Sequence, residues 1–473
     1  MSTQPLNRTT FAAGPPAPVR IVHLGLGAFH RAHQAWYTQQ ADPAREWGIA
    51  SFTGRRPDAA LALAAQDGLY TLIERSGDGD SFEVISSIVE ANDGADVARL
   101  CELVADPATA IATLTITEAA YRLGADGTLD ATHPDIAADI ALLRGVVAGA
   151  DSASWAATPT GRLVQALDAR RRSGAGAFAV VSCDNLSSNG EAAKAAIGGL
   201  AVAVDGGLAE WIGANVSFVS SSIDRITPRT TDAEVELVAT ATGFTDSSPV
   251  VTEPFRDWVL SGSFPAGRPA WEDAGAVFVE DIEPFENRKL WLLNGAHSLL
   301  AYAGSQRGHA TVAQALADPV CAQWVEDFWN EAEANLPAEG LGIPAYRVAL
   351  LGRFANTRIA HHLAQIAIDG SSKLRMRAVP VFNAERAQGR SGDAAATMVA
   401  AWVAFLRSAN SGGVEIKDAA AGQLGAALEL GPDEGLRALL AVLDPAWASD
   451  PVVVDQLKAR IETLTATAAL EGA

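Results

Sequence analysis

Short, unbroken apolar runs alternate with stretches of helical spacing through the first half of the chain. The segment Val19 to Leu24 (VRIVHL) is β-branched and apolar, the pattern of a strand buried on both faces. It runs into Gly25-Leu26-Gly27 and then a stretch of helical character over 28–40. Further strands are predicted at 47–53, 111–117, 178–182 and 216–223, with helices between several of them at 94–105, 161–172 and 189–204. Such alternation predicts an α/β domain: a parallel sheet with crossover helices. After Glu283-Pro284 strand signals nearly vanish, and Ala and Leu recur at helical spacing. Helices are predicted there at 286–305, 312–333, 346–368, 393–409, 433–443 and 450–468, with a Pro- and Gly-containing patch over 335–344. The expected organisation is a flexible lead over 1–18, a nucleotide-binding α/β domain over 19–283 and a mostly α-helical domain over 284–473. No repeat of the length used by solenoids or propellers is visible.

Composition narrows the function. The 473 residues are enough for two or three domains with a sizeable core. A formal net charge of −21 repels nucleic acid and anionic membrane surfaces, so neither is expected as a partner. Three cysteines (Cys101, Cys183, Cys321) with no CxxC pair fit neither a disulfide scaffold nor a cysteine zinc site, and point to a reducing cytoplasm. The N-terminal residues lack the apolar run of a signal peptide, and the nearly apolar stretch Ala394 to Leu406 is too short to span a bilayer.

A first chemical signal is Gly25-x-Gly27, set between a predicted strand and a predicted helix. Small residues let the backbone approach a pyrophosphate, and a helix N-terminus supplies unsatisfied N–H groups. The third glycine of the usual fingerprint is replaced by His30, so the motif alone fits a tight turn equally well. After the second strand no acidic residue stands ready for the ribose hydroxyls; the run is Thr53-Gly54-Arg55-Arg56. Arginines there suit a 2′-phosphate, so NAD and NADP both remain open.

A second signal is KLWLLNGAH, in the first helix of the second domain. With α-helical winding, Asn294 lies about 140° and His297 about 80° from Lys289, so all three fit one arc. Oxidising an alcohol needs a base for the hydroxyl proton, which a lysine supplies when burial or a cation lowers its pKa. It also needs neutral donors for the developing alkoxide, which a carboxamide and an imidazole supply. The histidines form no HExxH, and a catalytic metal is not expected. Ser182-Cys183-Asp184-Asn185 and Asp224-Arg225 follow two predicted strands, where parallel sheets place their ligand sites, though caps and turns use the same residues.

These pieces together resemble a known family. IVHLGLGAFHRAHQAWYTQ (21–39), LTITEAAY (114–121), SCDNLSSNG (182–190), SSIDRITP (221–228), EPFRDWV (253–259), KLWLLNGAH (289–297) and QIAIDGSSK (365–373) stand in the order and spacing of the polyol-specific long-chain dehydrogenases, which include mannitol 2-dehydrogenases and fructuronate reductases. The resemblance implies a Rossmann-type domain, a helical second domain and a metal-free site in the cleft between them. It implies Lys289 as general base, Asn185 and Asn294 as holders of the alkoxide, and His297 as the group that orients the substrate and donates to its oxygen. Asp224 and Lys373 would bind substrate. Gly25, Gly27, Ala28, Phe29, His30 and Arg31 would lie along the pyrophosphate turn, with Arg55 near the adenosine ribose. NAD is the family default, with NADP kept open by Arg55 and Arg56; a monomer is what the resemblance implies.

Some positions depart from the family pattern: Ile223 replaces a valine, and Ala119-Ala120 stand where a glycine commonly precedes the tyrosine, here Tyr121. Gln365 occupies a position that is arginine in some mannitol dehydrogenases and glutamine in fructuronate reductases, which leans toward a sugar acid. Glu286, three residues before Lys289, is placed to relay the released proton toward solvent through water, a hypothesis about this chain's own residues. The expected activity is therefore interconversion of a secondary alcohol at C2 of a polyol with the 2-ketose, mannitol with fructose by default and mannonate with fructuronate as rival. A non-catalytic nucleotide-binding redox sensor is the reading from another class; it needs the turn at Gly25 and none of Lys289, Asn185 and Asn294.

Overall fold

The computed structural model describes residues 3–149 and 154–471, of which 465–471 are described as backbone only. The chain divides into two compact units, Met1–Ile282 and Glu283–Ala473.

The first unit is built on an eight-stranded sheet. Its strands are β1 (Val19–Leu24), β2 (Gly48–Phe52), β3 (Ile88–Asn92), β4 (Ile111–Leu114), β5 (Phe178–Ser182), β6 (Val216–Asp224), β7 (Asp257–Ser261) and β8 (Val277–Val279). Across the sheet the order is β8-β7-β6-β5-β4-β1-β2-β3. The run β3-β2-β1-β4-β5-β6 is all parallel, the 3-2-1-4-5-6 order of a doubly wound dinucleotide-binding sheet. β7 runs antiparallel to β6, and β8 is parallel to β7.

Apolar residues on both faces explain why these strands read as continuous runs. Val22, Leu24, Ala112, Leu114 and Val180 pack on one side under the helices Val97–Val104, Pro134–Val147, Pro159–Ser173 and Asn189–Val204. Ile21, Ile49, Ile111, Ala179 and Val181 pack on the other, with Trp36, Trp258 and Trp271. Alternation along a pleated strand sends neighbours to opposite cores, so both must be apolar.

Several expectations change. The helical stretch over 28–40 is two helices, Ala28–Ala32 and Gln34–Ala41, broken at His33. The strand expected to reach 117 ends at Leu114: beyond it the N–H groups of Ile116 and Thr117 bond the Asp184 carboxylate instead of a neighbouring strand, and Thr117 takes φ 74°. Within the lead, Gln4–Pro5 pair with Phe244–Thr245, Leu6 is buried, and Arg8 binds Asp67 and the carbonyl of Ser86. A second sheet, in which Tyr70–Ser76 pairs antiparallel with Gly79–Ile85 and parallel with Val250–Thr252, was not expected from the sequence.

The second unit is helical, and among its described residues no strand is found beyond an isolated bridge between Thr311 and His362. Its centre is the helix Asp393–Ser411, buried from Ala394 to Val403, which explains the apolar stretch there as core. Residues 312–333 form two helices, because Asp318 caps the one that begins at Pro319. The expected span 346–368 is the helix Ile343–Phe354, a loop and the short helix Leu363–Ile366. Gly370–Arg377, Val379–Ala387 and Ala421–Leu428 are helices beyond those expected. No described helix is long and apolar enough to cross a membrane.

Candidate active site

In the first unit the carboxyl ends of the parallel strands collect the polar residues, as an open α/β sheet requires. Gly25 follows β1 with φ 112°, a conformation that favours glycine, and a Cβ there would stand 2.1 Å from the Thr115 carbonyl oxygen. The N–H groups of Gly25 and Leu26 are spent on the Phe52 carbonyl, at 2.9 and 2.8 Å. Gly27 is the N-cap of the helix Ala28–Ala32, and a Cβ there would approach only the Gly25 carbonyl oxygen, at 3.6 Å. The turn therefore leaves open space in front of a helix start whose first N–H groups have no partner within the helix, so these residues fit a dinucleotide pyrophosphate.

The flanking side chains play other parts. His30 is fully buried, stacked on His23 with ring centroids 3.3 Å apart, and binds Ser51 at 3.0 Å through Nε2. Burial then places its pKa well below the ordinary histidine value. Arg31 is held by the Gly27 and Ser248 carbonyls. Phe29 stacks on His33. The His30 ring is thus used in packing. Arg55 is exposed beyond β2, and Arg56 pairs with Asp58 in solvent, a contact of little energetic weight.

Asn185 and Asp224 stand beyond or at the ends of the neighbouring strands β5 and β6, Asn185 exposed and Asp224 half-buried. The adjoining Asp184 is buried and structural: it accepts from the Thr117 N–H at 2.6 Å, the Ile116 N–H at 3.2 Å and the Tyr121 hydroxyl at 2.7 Å. Asn189 donates to the carbonyls of Asp184 and Ser221 and accepts from the Ser221 N–H, joining the two strand ends. These supports explain the sequence cluster, part cap and part candidate site.

In the second unit the helical run from Glu283 does not keep α winding. Glu283–Arg288 is α, Lys289–Gly295 is π-helical, Ala296–Leu299 is α and Leu300–Gly304 is π-helical again. The arc computed for 100° per residue therefore does not apply, since i→i+5 bonding widens the turn. Such π stretches are uncommon and recur at functional sites. Gly295 lets the helix Pro319–Glu333 come close, since a Cβ would stand 2.5 Å from the Phe328 ring. Lys289, Asn294 and Glu286 are half-buried.

His297 is buried, and its Nε2 has no hydrogen-bond partner. Its ring lies 4.7 Å from those of Phe354 and His361. Burial, then the nearby charges of His361, Arg353, Arg377 and Lys373, hold its pKa well below the ordinary histidine value. A neutral imidazole with an unused nitrogen can exchange a hydrogen bond with a substrate oxygen. The Lys373 amine donates to the Ile366 carbonyl at 2.9 Å, and burial followed by Arg377 lowers its pKa. Arg353 and Arg377 were not singled out in the sequence; the signal available was the spacing of Lys373 and Arg377, one turn apart in Gly370–Arg377.

His309, Asp318 and Cys321 also lie together, within 4.8 Å. Asp318 is already engaged by Arg307 and caps the Val320 N–H, so the group carries a helix-start role.

This fold and its glycine turn fit a dinucleotide-binding domain, and comparison with known proteins makes the class specific. Residues 19–273 match the mannitol dehydrogenase Rossmann domain and residues 281–465 the mannitol dehydrogenase C-terminal domain; the chain belongs to the mannitol dehydrogenase family. It is 37% identical over 407 residues to D-mannonate oxidoreductase of Escherichia coli, covering 83% of this chain and 81% of the relative. It is 37% identical over 407 residues to mannitol 2-dehydrogenase of Cereibacter sphaeroides, covering 84% and 83%. The solved ternary complex of Pseudomonas fluorescens mannitol 2-dehydrogenase with NAD and D-mannitol superimposes with a TM-score of 0.77 at 33% identity, over 99% of this chain and 98% of that one. The protein is accordingly an NAD(P)-dependent dehydrogenase acting on CH–OH donors of the polyol and sugar-acid class. Family membership sets aside the non-catalytic sensor.

Proposed function

We propose that this enzyme interconverts the secondary alcohol at C2 of a hexitol with the corresponding 2-ketose, in the manner of mannitol and fructose. The observation that carries this reading is the grouping on one helical run of Lys289, Asn294 and a buried, neutral His297 with an unused ring nitrogen. Lys289 takes the hydroxyl proton as general base. The carboxamides of Asn294 and Asn185 hold the oxygen as negative charge grows on it, and His297 orients the substrate and donates to the same oxygen. Asp224 and Lys373 bind the remaining hydroxyls. Glu286 passes the released proton to solvent. A bound nicotinamide coenzyme would supply hydride transfer, and Gly25, Gly27, Ala28 and Phe29, with the main chain at His30 and Arg31, would hold its pyrophosphate. NAD is the default coenzyme, with NADP accommodated through Arg55. No metal takes part, and the enzyme acts as a monomer in the cytoplasm.

A second reading is the interconversion of mannonate with fructuronate. It is favoured by the cations gathered about His297, namely Arg353, Lys373 and Arg377, since a carboxylate substrate gains from positive charge in a partly desolvated site. The identity to D-mannonate oxidoreductase supports it equally. A panel of mannitol, arabinitol, fructose and fructuronate, run with both nicotinamide cofactors and followed by reduced-cofactor absorbance, separates the two. Turnover of mannitol and fructose supports the first reading and turnover of fructuronate alone the second. Absence of turnover with all four would reject both.

A further inference from the structure

Arg377 ends the helix Gly370–Arg377, one turn beyond Lys373, and its side chain is directed at the run that carries Asn294 and His297. Its Nη1 donates to the main-chain oxygen of Asn294 at 3.1 Å and to the Ser298 hydroxyl at 2.9 Å. Its Nε is buried without a hydrogen-bond partner. A guanidinium so enclosed is costly to keep, and packing alone would be served as well by methionine. What the charge does instead is visible in its acceptors. Asn294 lies near the end of the π stretch Lys289–Gly295, where i→i+5 winding moves carbonyls off the α register. A second carbonyl of the stretch, that of Leu292, accepts from Trp329 Nε1 at 2.7 Å. Two side chains from two other helices thus fix the peptides on either side of Leu293 and Asn294. Ser298, the other acceptor, directly follows His297.

We propose that Arg377 is a positioning residue for the reaction: its hold on the Asn294 peptide and the Ser298 hydroxyl sets the aim of the Asn294 carboxamide and the His297 ring at the reacting oxygen. The inference rests on the reading of Asn294 and His297 given above. Arg377 itself touches neither substrate nor coenzyme in this scheme. Its charge has a second consequence. It acts on His297 together with His361, Arg353 and Lys373, and on Lys373 it is opposed by Asp369 and Asp418. Removing it takes away one of the charges that keep His297 neutral.

The test compares Arg377→Met, Arg377→Lys, Ser298→Ala and Asn294→Ala in the full-length enzyme with NAD and whichever substrate of the panel is turned over. For Arg377→Met, kcat is expected to fall about a hundredfold, the loss associated with a displacement of order 1 Å at a reacting group. Coenzyme Kd should be unchanged, and the acid limb of the pH profile should move to higher pH. Arg377→Lys, which keeps the charge, should leave the acid limb in place and recover much of kcat. Ser298→Ala should lower kcat without moving the limb. A folded Arg377→Met with wild-type kcat and pH profile overturns the proposal, as does a loss confined to coenzyme binding. If Arg377→Met does not fold, wild-type kcat in both Arg377→Lys and Ser298→Ala overturns it. Asn294→Ala separates the two levels. Collapse of kcat there beside an unaffected Arg377→Met sinks only the role of Arg377, whereas unimpaired Asn294→Ala sinks the reading of the site.

Discussion

His23 and His30 lie face to face in the interior of the first unit, ring centroids 3.3 Å apart and planes 5° from parallel. His23 on β1 bonds Thr113 and Thr115, and His30 bonds Ser51, so the pair ties the first helix to the sheet below the glycine turn. Both are fully buried, and burial lowers the His23 pKa to about 3. The unfolded chain then binds protons that the native state refuses. The stability this pair depends on is intact above about pH 6.5 and is lost as pH falls from there toward the native value. Urea unfolding between pH 7.5 and pH 5 should show a steep loss, by up to about 1.4 kcal/mol per pH unit for each such histidine. His23→Asn should flatten that slope; an unchanged slope would mean other groups govern acid sensitivity.

Removing the Tyr121 hydroxyl probes the loop beyond β4. Tyr121→Phe deprives the buried Asp184 carboxylate and Ser182 of a partner at 2.7 Å each. A destabilisation of about 1–3 kcal/mol is expected, since a buried acceptor is left short of a donor. The denaturant midpoint measures it, and a midpoint equal to that of the wild type would show that water replaces the hydroxyl.

At the glycine turn, Gly25→Ala meets two obstacles, a positive φ and the Thr115 carbonyl 2.1 Å from the new Cβ. The turn must shift, so NAD affinity should drop at least tenfold, about 1.4 kcal/mol, as read by quenching of protein fluorescence. Normal NAD binding in a folded Gly25→Ala protein would place the pyrophosphate elsewhere.

Glu286 stands half-buried three residues before Lys289, where α winding gives way to π. Glu286→Gln removes a group able to accept and release a proton while keeping its size. Oxidation should slow and its pH profile should change, with substrate KM little altered; a superimposable profile would remove Glu286 from proton release.

Strands buried on both faces were legible as apolar runs, and FAVVS (178–182) matches β5 end for end. The hairpin of Tyr70–Ser76 and Gly79–Ile85 was not legible. Its second strand is only half-buried, and residues such as Glu74, Arg75 and Asp80 interrupt any apolar run. The polar clusters after β5 and β6 could be found because topology delivers strand ends to one edge whatever the loop sequence. What divides Asp184 from Asn185, buried support from exposed candidate, depends on Thr117 and Tyr121 more than sixty residues away in sequence. The π winding at Lys289 was equally hidden, because helical periodicity presupposes the turn it is used to infer. Arg377 was missed for a related reason: its acceptors are main-chain and hydroxyl oxygens on another helix, which leave no charge pattern to read.

The most direct measurement compares wild type and Lys289→Ala in single-turnover oxidation of the preferred substrate, with NAD affinity titrated in parallel. Lys289 acting as general base predicts a rate lowered by several orders of magnitude, about 10³-fold or more, beside a nearly unchanged NAD dissociation constant. Lys289→Ala that oxidises substrate at the wild-type rate, or that loses NAD binding along with its rate, would contradict it.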